Sequence, residues 1–259
     1  VDKSKKDDKS QASIQWYHLY LTVNNRIKHF IPNFLLTFYR KYLKKFHGNE
    51  LLDKKMLNYI NFENGFYIEM GAHDGLINSN TYYFEKNLNW KGILIEPSNF
   101  FDNLNKNRSK KNLFYKTICV PFNFNKKFIF EDMGPYSKVR ELAPPKYLKW
   151  HDDKSKNVEN IYQKKISSPN TNNLTEILKK SKAPKLIDFF SLDVEGSELN
   201  VLKGVNFREY NFKYLLIEIT DIDNGEYFKK VIKFLDEKDY TLQANLTSYD
   251  YLFRFKNKH

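Results

Sequence analysis

The sequence predicts an α/β protein: a mostly parallel, seven-stranded sheet flanked by helices, preceded by a helical extension. Three observations carry this. The 259 residues, 41% hydrophobic and 17% aromatic, suffice for a sizeable core. From about residue 51 onward, apolar runs of four to six residues alternate with helix-period stretches, the βαβ rhythm of a doubly wound sheet. Several of those runs end in acidic residues and glycines, which is where such sheets bind ligands.

Residues 1–13 are charged and aperiodic and read as a disordered lead-in. Trp16, Leu19, Tyr20, Val23, Ile27, Phe30, Phe34, Phe38 and Tyr42 then recur every three or four positions, the spacing of one helix face. Pro32 divides them into helices at 14–30 and 33–46, with Gly48 as the C-terminal cap. This 14–48 extension carries Arg26, Lys28, Arg40, Lys41, Lys44 and Lys45 and no carboxylate. Its anchors Trp16, Tyr20, Phe34 and Phe38 are expected to pack on the catalytic domain or a neighbouring subunit; peripheral contact with an anionic membrane is the rival expectation.

The main domain is expected over 49–259. It opens with a short helix near 51–60, followed by strands at 66–69, 92–96, 113–120, 186–193 and 214–220 and a closing pair at 240–245 and 251–255. Helices fit between them at 80–88, 100–107, 174–181, 197–203 and 227–236. Residues 123–173, rich in proline and polar residues, read as a long loop or lid with one strand at 127–131.

A net charge of +12 raises the question of a polyanionic partner. Lys and Asn are abundant throughout while Arg is scarce, a general compositional habit rather than a binding face, so nucleic acid is disfavoured. No apolar run approaches the roughly 18 residues of a spanning helix, and the first residues lack the apolar core of a signal peptide. The single cysteine, Cys119, excludes an internal disulfide and a thiolate metal cluster. These features together suggest a reducing, cytoplasmic setting.

The first strand runs into Glu69, Gly71, Ala72, His73, Asp74 and Gly75. Glycines two and six positions after an acid allow a tight turn and close approach of backbone to a ligand. His73 stands where a dinucleotide fingerprint needs its second glycine, and Glu69 and Asp74 place negative charge where a pyrophosphate would sit. The loop therefore disfavours NAD and suits a ligand with cationic groups. The second strand delivers Glu96, followed by Pro97, where a carboxylate can accept both hydroxyls of a ribose. The fourth ends in Asp193, Glu195 and Glu198 around Gly196, and the fifth in Glu218, then Asp221 and Asp223. Ser197 is expected to cap the following helix with its hydroxyl, and Glu198 favours its N-terminal dipole. Asp193 and Glu195 have no such structural reason, since adjacent carboxylates repel unless a ligand, a cation or a proton intervenes.

The stretches FYIEMGAHDG, SNTYYFEKNLNWKGILIEPS, DFFSLDVEGSELNVLKGVNF and YLLIEIT, in this order, resemble the signature blocks of the FkbM family of S-adenosylmethionine-dependent methyltransferases. The resemblance spans about residues 51–255 and implies a class I methyltransferase, Rossmann-like fold. It implies a cofactor site of Glu69, Gly71, Ala72, His73, Asp74, Gly75, Asn80, Glu96, Pro97 and Asp193, with Glu96 on the ribose. It further implies methylation of a hydroxyl on a saccharide, glycan or polyketide-like acceptor. As a departure, Thr117, Ile118 and Cys119 offer no acid for an adenine amine. Asp193, Glu195, Glu218 and His73 are the candidate bases; alternatively, a divalent cation held by Asp193 and Glu218 would acidify the hydroxyl. An RNA acceptor, or a non-catalytic binding module with a degenerate cofactor site, are the competing readings.

Overall fold

A computed structural model describes residues 33–155, 164–220 and 225–256. The expected helix at 14–30 and the acids Asp221 and Asp223 lie outside the described residues. Helix α1 (Asn33–Phe38) continues into a π-helical turn at Tyr39–Leu43 and stops there, because Lys44 is extended and its N–H closes on the Tyr39 carbonyl. Gly48 is therefore not a helix cap. It pairs with Asn78 in an isolated parallel bridge, and a Cβ there would lie 2.7 Å from the Asp53 nitrogen. Fully buried His47 fastens this segment, its ring bonded to the Leu76 and Lys44 carbonyls; burial pushes its pKa down to about 4. Phe38 does not pack on the main domain: Leu35, Phe38, Tyr42 and Leu43 are all exposed on the single chain.

The main sheet forms as the rhythm of the sequence requires. In chain order the elements are α2 (Leu52–Met56), β1 (Phe66–Met70), α3 (Tyr82–Leu88), β2 (Lys91–Ile95), α4 (Phe101–Asn107) and β3 (Leu113–Tyr115). An intervening region then supplies β4 (Ile118–Cys119), β5 (Phe130–Asp132), β6 (Lys138–Val139), α5 (Pro145–Ser155), β7 (Lys165–Ser167) and β8 (Thr171–Asn172). The chain returns through α6 (Leu174–Lys180), β9 (Leu186–Leu192), α7 (Glu198–Leu202), β10 (Asn211–Glu218), α8 (Glu226–Asp236), β11 (Tyr240–Asn245) and β12 (Asp250–Phe255).

The seven strands lie in the order β11-β12-β10-β9-β1-β2-β3, with β12 antiparallel to both neighbours. Alternate side chains of each strand enter opposite cores. Ile68, Ile93, Phe190 and Leu192 pack with α6, α7 and α8; Tyr67, Leu94, Phe189 and Leu216 pack with α2, α3 and α4. The strand order reverses between β1 and β9, which opens a crevice at the carboxyl ends of these strands. Register aligns that edge: Met70 pairs with both Ile95 and Leu192, and Leu192 with Ile217. Gly71, Glu96, Asp193 and Glu218 consequently emerge side by side.

Two expectations about the intervening region are corrected. The single strand at 113–120 breaks after Tyr115, and Ile118–Cys119 leaves the main sheet to pair with Thr171–Asn172. Residues 123–173 are no bare loop: β5 pairs antiparallel with β6 and β7, and α5 follows, around a small core of Ile118, Val120, Phe130, Val139 and Leu142. Among the described residues, no helix is long and apolar enough to cross a membrane.

Candidate active site

Glu69 ends facing inward. Its carboxylate accepts bonds from Ser79 Oγ, the Asn80 N–H at 2.7 Å, Thr81 Oγ1 at 2.7 Å and Arg108 Nη1 at 3.0 Å. Arg108, fully buried, also donates to Glu85 at 2.7 Å and to the Tyr67 and Thr81 hydroxyls. Burial by itself would raise the Glu85 carboxyl, but the Arg108 guanidinium holds it below the usual carboxylate range. Glu69 therefore braces the loop after β1 from behind, and the cofactor contact expected of it is not what the geometry offers.

The same holds for three neighbours. Asp74 accepts the N–H groups of Leu76 and Ile77 at 2.9 and 2.7 Å and so closes its own turn. Burial pushes its carboxyl up, and those bonds together with His73 outweigh burial and hold it low. Gly75 packs on Arg108 and Leu104, and Asn80 donates to Ser191 Oγ at 3.0 Å; neither they nor Asp74 line the cleft.

Gly71, Ala72, His73, Glu96, Pro97, Asp193 and Glu195 do share the cleft wall, with Ile118, Cys119 and Phe130. Gly71 has φ +79°, and a Cβ there would fall 2.0 Å from the Asp193 carbonyl oxygen, so only glycine lets the ends of β1 and β9 approach this closely. Glu96, nearly buried, takes one backbone N–H on each carboxylate oxygen: His73 at 2.7 Å and Ser98 at 2.8 Å. The remaining lone pairs stay available to a diol. The His73 ring stacks on Phe100 with centroids 3.9 Å apart; its Nδ1 lies 3.6 Å from Asp74 Oδ1, beyond hydrogen-bond distance, and Nε2 makes no hydrogen bond.

The carboxylates of Asp193, Glu195 and Glu218 lie within 4.8 Å of one another. Burial, then the Glu218 charge and hydrogen bond, push the Asp193 carboxyl well up; burial pushes Glu218 up to about 8. The two carboxyls hydrogen-bond to each other and titrate as a pair. Asp193 Oδ1 is a buried oxygen with no partner. Glu198 stands apart from the cluster's chemistry. It accepts the Gly196 N–H at 2.9 Å and Tyr227 Oη at 3.0 Å, and burial raises its pKa to about 7. Ser197, expected to cap α7, makes no side-chain cap bond, and its hydroxyl is buried without a partner.

Sequence reasoning missed Arg108, which pins the loop, and Tyr147 and His151, which reach Glu195 from α5. The segment 123–173 that supplies Tyr147 and His151 gave no helical signal beyond Pro144, Pro145 and the four-residue spacing of those two residues.

A seven-stranded sheet of this order, with a glycine turn after β1, an acid after β2 and another after β9 beside one cleft, defines a methyltransferase of the class I, Rossmann-like type. The FkbM methyltransferase domain is matched over residues 69–242, and the chain belongs to that family. No curated protein matches the chain. Among solved structures, the human methyltransferase 10 domain containing protein is similar at 10% identity and TM-score 0.43, covering 91% of this chain and 98% of that one. Precorrin-6y C5,15-methyltransferase from Geobacter metallireducens is similar at 11% identity and TM-score 0.39, covering 82% and 92%. Likenesses at this level say nothing about the acceptor.

Proposed function

We propose that the protein is an S-adenosylmethionine-dependent O-methyltransferase acting on a hydroxyl of a saccharide, glycan or similar polyhydroxylated small acceptor. The observation that carries this reading is the Asp193, Glu195 and Glu218 cluster at the edge of the cleft, in which the carboxyls of Asp193 and Glu218 have raised pKa values suited to removing a hydroxyl proton. The cleft fits the cofactor on two counts. Glu96 presents free lone pairs for the ribose hydroxyls, and the orphaned Asp193 Oδ1 suits a cationic ligand. Gly71 and Ala72 would hold the methionine part, and Ile118, Cys119 and Phe130 would supply apolar contact for adenine in place of an acid. When bound, the cofactor supplies an electrophilic methyl group on a sulfonium.

The protein's own tasks are then orientation of the acceptor oxygen and acceptance of its proton at a carboxylate of the Asp193–Glu218 pair. Three clustered carboxylates repel phosphates, which favours a neutral polyol over RNA despite the net charge of +12. A divalent cation on the same cluster is the alternative way to acidify the hydroxyl. The retained Glu96 and Asp193 favour an enzyme over a degenerate module.

Glu96→Ala removes charged hydrogen-bond acceptors worth roughly 1.5–3 kcal/mol each, so calorimetry should show S-adenosylhomocysteine binding weakened by about tenfold or more. Unchanged affinity in a folded variant would refute the ribose assignment.

A further inference from the structure

Helix α5 lies on the turn that carries Glu195. The Tyr147 ring sits so close that a Cβ on Gly196 would come within 2.8 Å of it, and the Tyr147 hydroxyl donates to Glu195 Oε2. One turn further along, His151 is fully buried, with Nε2 3.5 Å from the same carboxylate oxygen and outside hydrogen-bond geometry. Its other nitrogen, Nδ1, is 2.8 Å from Lys138 Nζ.

That contact determines the tautomer. Lys138 is fully buried and held at 2.9 Å by Asp152 and at 3.3 Å by Glu131, so it is an ammonium, which donates and cannot accept. Nδ1 must offer its lone pair, and the ring proton is therefore on Nε2, facing Glu195. The groups around His151 are Lys138 on β6, with Glu131 of β5 behind it, Tyr147 and Asp152 on its own helix, the Tyr136 and Trp150 rings, and Glu195. A row of polar groups thus runs from Glu131 and Asp152 through Lys138 and His151 to Glu195.

We propose that Tyr147 and His151 are positioning residues for Glu195, with His151 fixed as its Nε2–H tautomer by Lys138, so that helix α5 holds the Glu195 carboxylate in place beside Asp193 and Glu218. This rests on the methyl-transfer reading for its consequence in catalysis, not for its geometry. Two donors from one helix aim at one oxygen of Glu195, whereas Asp193 and Glu218 share a hydrogen bond with each other. Because 3.5 Å is too long for a formed bond, a small inward shift of α5 on filling the cleft would satisfy the Nε2–H and tighten Glu195.

The test is nitrogen-15 NMR of the histidine side chains in the full chain, with the His151 signals identified by their loss in His151→Gln. The expected spectrum at neutral pH shows His151 protonated at Nε2 only. An Nδ1–H tautomer or an imidazolium would overturn the proposal whatever the cleft binds. In methyl transfer, His151→Phe should lower kcat by about tenfold to a hundredfold with S-adenosylhomocysteine affinity unchanged, and move the acid limb of the kcat–pH profile. His151→Gln, which keeps a donor near the Nε2 position, should recover most of the loss; equal defects in the two variants would also overturn the proposal. Failure of the wild-type chain to bind S-adenosylhomocysteine would count against the cofactor reading alone, because the tautomer is read without it.

Discussion

Arg108→Met is expected to destabilise the chain by about 3–5 kcal/mol in urea unfolding, the usual consequence of removing one partner of a buried ion pair. The Arg108 side chain has no exposure, and Glu69 and Glu85 on either side of it are 5% and 10% exposed. Methionine fills the space but leaves two desolvated carboxylates without their cation. Arg108→Lys should recover little, since one ammonium cannot span Glu69, Glu85, Tyr67 and Thr81 as the planar guanidinium does. The pH dependence has a definite sign. In the wild type, the lowered pKa of Glu85 gives stability that is full above its unfolded value and is lost on acidification through the folded one. Without Arg108, burial raises that pKa, so protonation relieves the variant, and the gap between the two proteins should narrow as pH falls from about 7 to 4. A gap under about 1 kcal/mol at neutral pH would show that the network does not brace the loop.

Asp193→Asn should lower kcat by about 10²- to 10⁴-fold, the range for loss of a positioned base, while S-adenosylhomocysteine affinity changes little. The substitution preserves shape and removes the one cluster member whose oxygen is buried and unpartnered in the cleft. In the wild type, turnover should rise with pH through about 8: burial raises both Asp193 and Glu218, and only the deprotonated pair can accept a proton. Activity is expected to survive EDTA. Loss on chelation with recovery on adding magnesium or manganese would transfer the role to a cation on the three carboxylates, and full turnover in Asp193→Asn would remove both versions.

How far the sequence reveals this site depends on how local the cause is. The strands, the turn at Gly71 and the acids after β2 and β9 are visible because short apolar runs followed by glycine or acid are local signals, and parallel register then brings their ends level at Met70, Ile95 and Leu192. Which acids face the cleft is not local. Glu69 and Asp74 look equivalent to Glu96 in sequence, yet Arg108, 39 positions away, turns Glu69 inward, and Asp74 caps its own loop. Gly48 and Ser197 mislead in another way: each has the residue type of a helix cap, but Gly48 is drawn into a bridge with Asn78, and at the second turn the Glu198 carboxylate rather than the Ser197 hydroxyl takes the backbone N–H groups, those of Val194 and Gly196. The region at 123–173 hides its structure because strands of two or three residues have no period to detect. In α5 the apolar face is broken by lysines and aspartates, and only the prolines at its start and the four-residue spacing of Tyr147 and His151 hint at a helix.

The most direct test of the central proposal is incubation of the full chain with methyl-tritiated S-adenosylmethionine and a panel of saccharides, with RNA and protein as comparison acceptors. Tritium should appear on a saccharide as an alkali-stable methyl ether, and the label should be lost in Asp193→Asn. Label carried by RNA or by an amine, with none on any polyol, would contradict hydroxyl methylation by the acidic cluster.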